Sequence, residues 1–351
     1  MTKHKTVVVA LSGGVDSAVS ALLLKEQGYN VVGAFMKCWD GNEQGCTAQE
    51  DEYWARRVAA SLSIPFYRFD LVEEYKMRVV DYFLQEYQAT RTPNPDIMCN
   101  SQIKFGVFFD TVMKALSPAY IATGHYARTK TTNNTTYILK GIDPTKDQSY
   151  FLYRIEPSVL RKVLFPVGEL EKKQVRSIAQ QHNLPNADKK DSQGICFIGN
   201  IKVQEFLQER LQTNQGNVVT QDGKVVGTHN GLSFYTIGQR KGVGSFGGGV
   251  PYDVIAKNRE KNELVVGGRY DENITTRTVH IEDTRWFDAF LEDKLYSASI
   301  RYRQKPESVT VKRNNKAQYT LTFQEPQRAA TQGQSAVIYD NQALVGGGII
   351  V

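Results

Sequence analysis

The chain has 351 residues, of which 41% are hydrophobic and 23% are charged, and its formal net charge at pH 7 is +6. A chain of this length exceeds what one hydrophobic core usually serves, so we expect two or three domains. No apolar run is long enough to cross a membrane, and the apolar part of the N-terminus is too short for a signal peptide. The composition therefore predicts a cytoplasmic protein without a membrane partner, and the charge modestly favours anionic partners such as nucleic acid.

Two styles of sequence follow one another along the chain. Up to about residue 210, strand-like runs alternate with helical patterns, and these elements lie at residues 6–11, 31–36, 66–69, 72–88, 103–116 and 119–123. The alternation predicts an α/β domain with a parallel sheet covered by helices. From about residue 215, short alternating runs separated by turns predict a mostly β region. We expect this region to be a small barrel or a sandwich, and a break near residues 269–273 to divide it in two.

A short polar turn joins the first strand-like run to the first helical pattern. Residues 7–24 read VVVALSGGVDSAVSALLL. A strand that leads through small residues into a helix places backbone N–H groups at the carboxyl edge of a parallel sheet, where phosphates bind. Gly13 and Gly14 let the backbone approach an anion, while Ser12 and Ser17 offer hydroxyl donors. The stretch lacks the lysine of a Walker A loop and resembles the PP-loop of ATP pyrophosphatases, which cleave ATP between its α- and β-phosphates.

A second stretch, TPNPDIMCNSQIKFG, carries a candidate nucleophile. Pro93 and Pro95 favour an extended path until a helix begins near residue 100. Cys99 would then lie just before the N-terminus of that helix, a position that lowers the pKa of a thiol. Asp96 is close enough in sequence to exchange a proton with it. The competing interpretation is a small buried cysteine beside a turn-forming aspartate.

A third stretch, NADKKDSQGICFIGN, carries Cys196. The cations Lys189 and Lys190 favour its thiolate, and Gly194 gives the backbone freedom to move the sulfur. Two activated cysteines beside an ATP-cleaving loop suggest sulfur transfer, because a persulfide needs one thiol to carry sulfur and another to release it. The cysteines show neither CxxC spacing nor a His/Cys cluster, so no metal site is predicted.

A series of motifs covers nearly the whole chain: SGGVDS, NPDxxCN, GHYAR, KDQSYFL, KKDSxGICFIG, GQRKG and RYRQ. In this combination and order the sequence resembles the MnmA family of tRNA-specific 2-thiouridylases, sulfurtransferases of the PP-loop ATP pyrophosphatase superfamily that convert the wobble uridine of certain tRNAs into 2-thiouridine. The resemblance implies an α/β PP-loop domain, similar to the adenine nucleotide alpha hydrolases, at residues 1–204. It further implies a small central β-rich domain at 205–271 and a C-terminal β-barrel that contacts tRNA at 272–351.

The same resemblance implies a mechanism of ATP-dependent sulfur transfer. The uridine O2 is adenylated, and the terminal sulfur of a persulfide on Cys196 attacks C2. Cys99 then either attacks that persulfide, which leaves a Cys99–Cys196 disulfide, or assists release of hydrosulfide. Asn94, Pro95 and Asp96 contact the flipped target base, with Asp96 as the acid/base residue. The implied ATP-binding residues are Ala10, Leu11, Ser12, Gly13, Gly14, Val15, Asp16, Ser17, Met36 and Gly124.

The resemblance also implies partners. Mg²⁺ is expected to accompany ATP, with Asp16 able to help place it. The substrates implied are the tRNAs for lysine, glutamate and glutamine, recognised through the anticodon arm, and the sulfur donor is a cysteine desulfurase or a sulfur-relay protein. From the residues alone, His125 could equally be a core histidine. The implied tRNA contacts are His125, Lys146, Asp147, Gln148, Arg301, Tyr302 and Gln334.

Three other classes of protein compete with this interpretation. A PP-loop ligase or amidotransferase that adenylates a small carboxylate would use the same loop, but it needs no paired cysteines and no basic β-domain. An RNA-binding protein with an inactive ATP site would have no need of Asp16 or the cysteines. A thiol redox protein would be expected to carry CxxC spacing. AMP formation that depends on tRNA separates the first two classes from a thiouridylase, and cysteine substitutions separate the third.

Overall fold

The computed structural model describes the chain outside residues 1–4, 41–47, 134, 192–202, 244–251, 269–270, 288–290, 293 and 316. Two compact units make up the chain. The first comprises residues 1–80, 95–201 and 342–345, and the second comprises residues 81–94, 202–341 and 346–351. Within the described ranges, no helix is both long and apolar enough to cross a bilayer.

Helices are concentrated in the first two thirds of the chain. The 3₁₀-helices are Ser149–Leu152, Leu232–Phe234 and Glu272–Ile274, and two π-helical segments span Lys76–Val80 and Cys99–Val107. The α-helices are α1 (Val15–Glu26), α2 (Ala48–Ser61), α3 (Val72–Tyr75), α4 (Asp81–Gln88), α5 (Pro95–Met98), α6 (Phe108–Leu116), α7 (Pro157–Leu160), α8 (Lys172–Gln181) and α9 (Val203–Gln208).

Strands dominate the last third. The strands are β1 (Thr6–Ala10), β2 (Asn30–Lys37), β3 (Phe66–Asp70), β4 (Tyr120–Ala122), β5 (Ala127–Thr132), β6 (Thr135–Lys140), β7 (Val163–Leu164), β8 (Gly216–Thr220), β9 (Val225–His229), β10 (Asp253–Asn258), β11 (Glu263–Gly267), β12 (Thr275–Trp286), β13 (Tyr296–Ser299), β14 (Glu307–Arg313), β15 (Tyr319–Arg328), β16 (Ser335–Asp340) and β17 (Ala343–Ile350).

The first unit is built on a five-stranded parallel sheet with the order β3-β2-β1-β4-β7. Strand β1 pairs in parallel with β2 on one side and with β4 on the other. Its residues Val7, Val8 and Val9 are fully buried, as expected for a strand that helices cover on both faces. The predicted α/β class is therefore confirmed. Because the chain leaves β1 for one neighbour and later returns to the other side, the loop after β1 lies at a topological switch point, where ligands bind in such sheets.

Helical structure around Cys99 begins earlier than the two prolines predict. Helix α5 starts at Pro95, and the π-helical segment that starts at Cys99 follows it directly. The prediction that Cys99 precedes a helix N-terminus is therefore wrong, since a full helical turn comes before it. Proline is favoured at the first position of a helix, where its missing N–H is not needed and its φ is already suitable. Pro95 thus begins the helix, and the argument from a helix N-terminus no longer applies to the Cys99 thiol.

The second unit contains a four-stranded sheet with the order β10-β11-β8-β9. Strands β8 and β9 form an antiparallel hairpin, as do β10 and β11, and the two hairpins join through parallel pairing of β8 with β11. Their inner faces bury Val218, Val254 and Leu264 in a small core of their own. The predicted central β-rich domain is confirmed.

The strands that follow β11 along the chain form a barrel with the order β12-β15-β14-β13-β16-β17. The barrel closes because the long strand β12 pairs first with β15 and then, beyond irregularities in register, with β17. The six described strands thus form a closed ring, which settles the choice between a barrel and a sandwich. The exact residue bounds of the three domains stay predictions.

Candidate active site

The loop between β1 and α1 is held by its own two serines. The Ser17 hydroxyl accepts a hydrogen bond from the Ser12 N–H at 3.2 Å and donates one to the Gly14 carbonyl at 3.0 Å. Ser12 itself is exposed. Among the described residues, no side chain caps the N-terminus of α1 at Gly14. Backbone N–H groups of the first helical turn are therefore open to an anion.

Two glycines allow close approach of the backbone at this loop. Gly13 has a φ of +77°, and a Cβ there would lie 2.3 Å from the carbonyl oxygen of Asp51. The buried Asn186 fixes this conformation, because its Nδ2 donates to the Gly13 carbonyl at 2.9 Å. Gly124 follows β4, and a Cβ on it would lie 2.7 Å from the Ser17 nitrogen. The two predicted ATP-binding segments, the loop and Gly124, are thus in contact.

The last predicted ATP-binding residue lies on the neighbouring strand. Met36 is half-buried near the carboxyl end of β2, where it pairs in register with Phe69 of β3. The carboxyl ends of parallel strands meet at one edge of a sheet. Met36 therefore lies at the same edge as the loop after β1.

Asp16, in the first turn of α1, is bound by two residues that the sequence analysis did not single out. Lys172 Nζ lies 2.7 and 2.9 Å from its two carboxylate oxygens. The Tyr126 hydroxyl donates to its Oδ1 at 2.8 Å. Burial and the Asp16 carboxylate raise the pKa of Tyr126, so the phenol remains a donor. Lys172 is 156 positions away from Asp16 in the chain, and no local motif signals this contact.

A second carboxylate, Asp191, gathers three cations beside this group. Its Oδ1 lies 2.8 Å from Lys172 Nζ and 2.6 Å from Arg176 Nη2, and its Oδ2 lies 2.8 Å from Lys146 Nζ. Burial acts to raise the pKa of Asp191, but the hydrogen bonds from Lys146 and Lys172 outweigh it and lower the pKa well below its usual value. Asp191 is therefore a permanent anion that holds these side chains together. We refer to Asp16, Lys172, Asp191, Lys146 and Arg176 as the ion-pair network.

The predicted catalytic residues Asp96 and Cys99 lie one helical turn apart. Cys99 is buried, with 7% exposure. Burial raises the pKa of Asp96, and the nearby Lys104 opposes the shift only in part. A carboxyl with a raised pKa is suited to proton transfer near neutral pH. Asn94 is half-buried and Pro95 is buried. Cys196, the other predicted catalytic residue, lies outside the described residues.

His125 occupies the core of the first unit. It is 7% exposed, its ring packs against those of Phe105 and Phe165, and its Nδ1 is 2.8 Å from the Thr123 hydroxyl. Burial lowers the pKa of His125 well below its usual value. These surroundings favour the core alternative that the sequence left open, and a contact of His125 with tRNA stays a prediction.

The other predicted tRNA contacts of the first unit have structural partners. Lys146 belongs to the ion-pair network. The Asp147 carboxylate accepts from the Gly141 N–H at 3.0 Å and from the Ser149 N–H at 3.1 Å. Gln148 Oε1 accepts from the backbone N–H of Tyr126 at 3.0 Å. These residues fix the turn before the 3₁₀-helix Ser149–Leu152 and keep Tyr126 beside Asp16.

The predicted contacts of the second unit brace its loops. Arg301 Nη2 donates to the carbonyls of Ile237 and Ala329 at 2.9 and 2.7 Å. Gln334 Nε2 donates to the Thr92 carbonyl at 2.8 Å, which fastens the stretch just before Asn94. Tyr302 is half-buried, with the Arg303 guanidinium 5.2 Å from its ring centre. A role of these side chains in contacting tRNA stays a prediction.

Comparison with known proteins gives matches along the chain. Residues 5–200 match the family described as tRNA methyl transferase HUP domain, residues 204–268 the tRNA methyl transferase PRC-barrel domain, and residues 276–350 the Aminomethyltransferase beta-barrel domain. A tRNA-specific 2-thiouridylase MnmA of Neisseria meningitidis serogroup A is 47% identical over 348 residues, 98% of this chain and 95% of the relative. The protein of the same name from Halalkalibacterium halodurans is 46% identical over 349 residues, 98% of this chain and 94% of the relative. This degree of identity over almost the full length of both chains shows that the chain belongs to the MnmA family of tRNA-specific 2-thiouridylases.

Proposed function

We propose that this chain is a tRNA-uridine 2-sulfurtransferase, which replaces the O2 of the wobble uridine with sulfur and converts ATP to AMP and pyrophosphate. The observation that carries the proposal is the loop after β1, a glycine-shaped turn at the switch point of a parallel sheet, in a chain whose relatives are named as thiouridylases. Such a loop binds phosphate through backbone N–H groups and the helix N-terminus.

ATP would bind along the carboxyl edge of the parallel sheet. Residues 10–17 would hold its phosphates, with Met36 and Gly124 at the same edge. Mg²⁺ is commonly held by one or two carboxylates together with substrate phosphates, and Asp16 is the carboxylate at this loop. The ion would neutralise part of the phosphate charge when bound.

The reaction activates a poor leaving group. The uridine O2 bonds to the α-phosphorus, and the bond from that phosphorus to the oxygen leading to the β-phosphate breaks, with its electron pair leaving on pyrophosphate. The terminal sulfur of a Cys196 persulfide then bonds to C2, and AMP departs with the former O2. In one route Cys99 attacks the Cys196 sulfur of the S–S bond that now joins Cys196 to the base, which leaves a Cys99–Cys196 disulfide and the transferred sulfur on C2. In the other route Cys99 attacks the Cys196 sulfur of the persulfide first, which forms the same disulfide and releases hydrosulfide, and the hydrosulfide then bonds to C2 as AMP departs. Both routes need the same two thiols.

Asp96 would serve as the proton-transfer group beside the base. Its raised pKa keeps a proton available closer to neutral pH than an exposed aspartate would. Asn94 and Pro95 would contact the flipped uridine. A base in a single-stranded anticodon loop costs little to unstack, which makes this tRNA region accessible to the attack.

Recognition of tRNA would rest on the β-rich second unit and on Lys146, with Arg301, Tyr302 and Gln334 as the residues proposed for the barrel. The substrates would be the tRNAs for lysine, glutamate and glutamine. A cysteine desulfurase or a sulfur-relay protein would deliver the persulfide sulfur to Cys196. His125, Asp147 and Gln148 stay proposed contacts of the first unit, of which His125 is buried in the structure.

The test is whether AMP formation depends on tRNA. Purified protein is incubated with radiolabelled ATP and a persulfide source under three conditions. The first contains unmodified tRNA with a wobble uridine, the second contains the same tRNA with a wobble cytidine, and the third contains no tRNA. AMP and 2-thiouridine are expected only with the uridine-bearing tRNA. AMP formation that follows a small carboxylic acid and ignores tRNA would instead establish a PP-loop ligase.

A further inference from the structure

The loop of residues 10–17 lacks the lysine that a Walker A loop carries, yet a lysine lies next to it. Lys172 comes from the start of α8, far away in the sequence, and its Nζ reaches both carboxylate oxygens of Asp16 in the first turn of α1. The aromatic ring of Tyr126 lies under it, with Nζ 5.8 Å from the ring centre. The described structure thus places a cation at the end of the loop where anions are expected.

The position of Lys172 on its own helix is electrostatically unfavourable. It is the first residue of α8, and a cation in the first turn of a helix is disfavoured by the helix dipole. The start of α8 is firmly built: Glu171 and Gln174 form a capping box, and the Asp143 carboxylate accepts from the Lys172 N–H at 3.0 Å. Nothing in α8 itself therefore favours a lysine here. Its partners lie across the site, at Asp16 and Asp191.

The Lys172 side chain is held there from two sides of the ion-pair network. It is only 14% exposed, and Asp191 binds it at 2.8 Å independently of Asp16. Asp191 is itself fixed by Lys146 and by Arg176. A long, flexible side chain is thus preorganised at the loop, which reduces the entropy lost when it meets a ligand.

We propose that Lys172 binds the β- and γ-phosphates of ATP and stabilises the pyrophosphate as it leaves, with Asp191 as the residue that positions it. This inference rests on the proposed function. The uridine O2 bonds to the α-phosphorus, the bond between that phosphorus and the bridging oxygen breaks, and the electron pair goes to pyrophosphate. Negative charge grows on the leaving group, where a nearby preorganised cation is most effective. Lys172 transfers no proton in this step.

The experiment compares ATP with AMP, because AMP lacks the phosphates that Lys172 would meet. Dissociation constants for both nucleotides are measured by calorimetry on the full chain with Lys172→Met, Lys172→Arg and Lys173→Met. Lys173 is the matched control, since it is the next residue on the same helix turn, is 80% exposed and pairs only with Glu171 among the described residues. The melting temperature of each variant is recorded without nucleotide.

Loss of a charge-assisted contact to phosphate is expected to weaken ATP binding to the Lys172→Met protein by about tenfold or more, with AMP binding changed little. Lys172→Arg, which keeps the charge and the ion pairs, is expected to recover most of the lost ATP affinity. Lys173→Met should bind both nucleotides as the wild type does. The assignment would be overturned if Lys172→Met bound ATP normally or lost affinity for ATP and AMP equally. It would also be overturned if Lys172→Arg bound ATP as weakly as Lys172→Met.

The two proposals fail separately. Thiolation of tRNA by the wild-type protein is measured in the same series, and its absence would refute the proposed function whatever Lys172 does. Normal thiolation by the wild type together with unchanged ATP affinity in Lys172→Met would refute the lysine assignment alone.

Discussion

Gly13 combines a backbone conformation and a packing environment that exclude other residues. Its φ of +77° disfavours any side chain, and the Asp51 carbonyl occupies the space of a Cβ. Gly14, its neighbour, has a φ of −84°, and a Cβ there would meet only the Ser12 hydroxyl at 3.3 Å. The two glycines of one motif therefore serve different purposes, the first for conformation and the second for anion approach.

Gly13→Ala is expected to abolish measurable ATP binding and to lower the free energy of unfolding by about 1–2 kcal/mol or more, since the left-handed backbone and the clash both oppose the methyl group. Calorimetry with ATP and urea unfolding measure the two effects. Gly14→Ala is the matched control and should keep most of the stability. Wild-type ATP affinity in Gly13→Ala would show that the loop is not shaped by this residue.

The Asp96 carboxylate is expected to lower the free energy of unfolding near neutral pH while being needed for tRNA thiolation. Burial raises the pKa of Asp96 in the folded state above its value in the unfolded state. Between these two pKa values the folded state binds more protons than the unfolded state, so the free energy of unfolding falls as pH rises through that window. Asp96→Asn removes the titration, so its unfolding free energy should equal or exceed that of the wild type at about pH 7 while tRNA thiolation is lost. Urea unfolding between about pH 4 and pH 7 and a thiolation assay test this. An active or a destabilised Asn variant would contradict the role given to Asp96.

At the level of elements, local sequence patterns predict those helices, strands and turns whose formation depends on neighbouring residues in the chain. Strand β1 could be predicted because a run of valines suits a strand buried on both faces, and the hairpin β8–β9 because its turn contains Asp222 and Gly223. The start of α5 could not, since Pro95 is compatible both with an extended path and with the first position of a helix. Only packing of the following helical segment decides between them.

Strand β10 carries a half-buried lysine, Lys257, whose titration should be visible in the pH dependence of the unfolding free energy. Lys257 Nζ donates to the Thr90 carbonyl at 2.8 Å, and burial lowers the pKa of Lys257 from 10.5 to about 8. The unfolded state therefore holds more protons than the folded state between about pH 8 and pH 10.5. The unfolding free energy gains a contribution that rises with pH over this window.

Lys257→Met is expected to remove this rise, and Lys261→Met, on the exposed turn after β10, should retain it. Urea unfolding of the three proteins at several pH values up to about 10 provides the comparison. The same slope in wild type and Lys257→Met would mean that Lys257 titrates normally.

For the whole molecule, the net charge of +6 matters because tRNA is a polyanion. If two phosphates are contacted, a fourfold increase in salt, from about 50 to about 200 mM, should weaken tRNA binding by about tenfold. Filter binding or fluorescence anisotropy at several salt concentrations measures this slope. AMP binding in the same buffers should change far less. Affinity for tRNA that is independent of salt would argue against phosphate contacts.

How far the sequence predicts the site depends on distance along the chain. The loop residues 12–17 are contiguous, so their phosphate-binding chemistry can be predicted from the sequence alone. Asp16, Lys172 and Asp191 come from three separate segments, and only the packing of α8 against α1 brings them together. His125 belongs to a contiguous motif and is nevertheless buried, because the position of a residue in a motif does not reveal whether its side chain faces the core or the solvent.

The most direct test of the account is sulfur transfer to tRNA by cysteine variants. Wild type, Cys99→Ser, Cys196→Ser and the control Cys38→Ser are incubated with ATP, a persulfide source and unmodified tRNA carrying a wobble uridine, and 2-thiouridine is quantified by mass spectrometry. The account predicts thiolation by the wild type and Cys38→Ser and none by the other two variants. Thiolation by Cys99→Ser or Cys196→Ser at the wild-type rate would contradict the two-thiol mechanism.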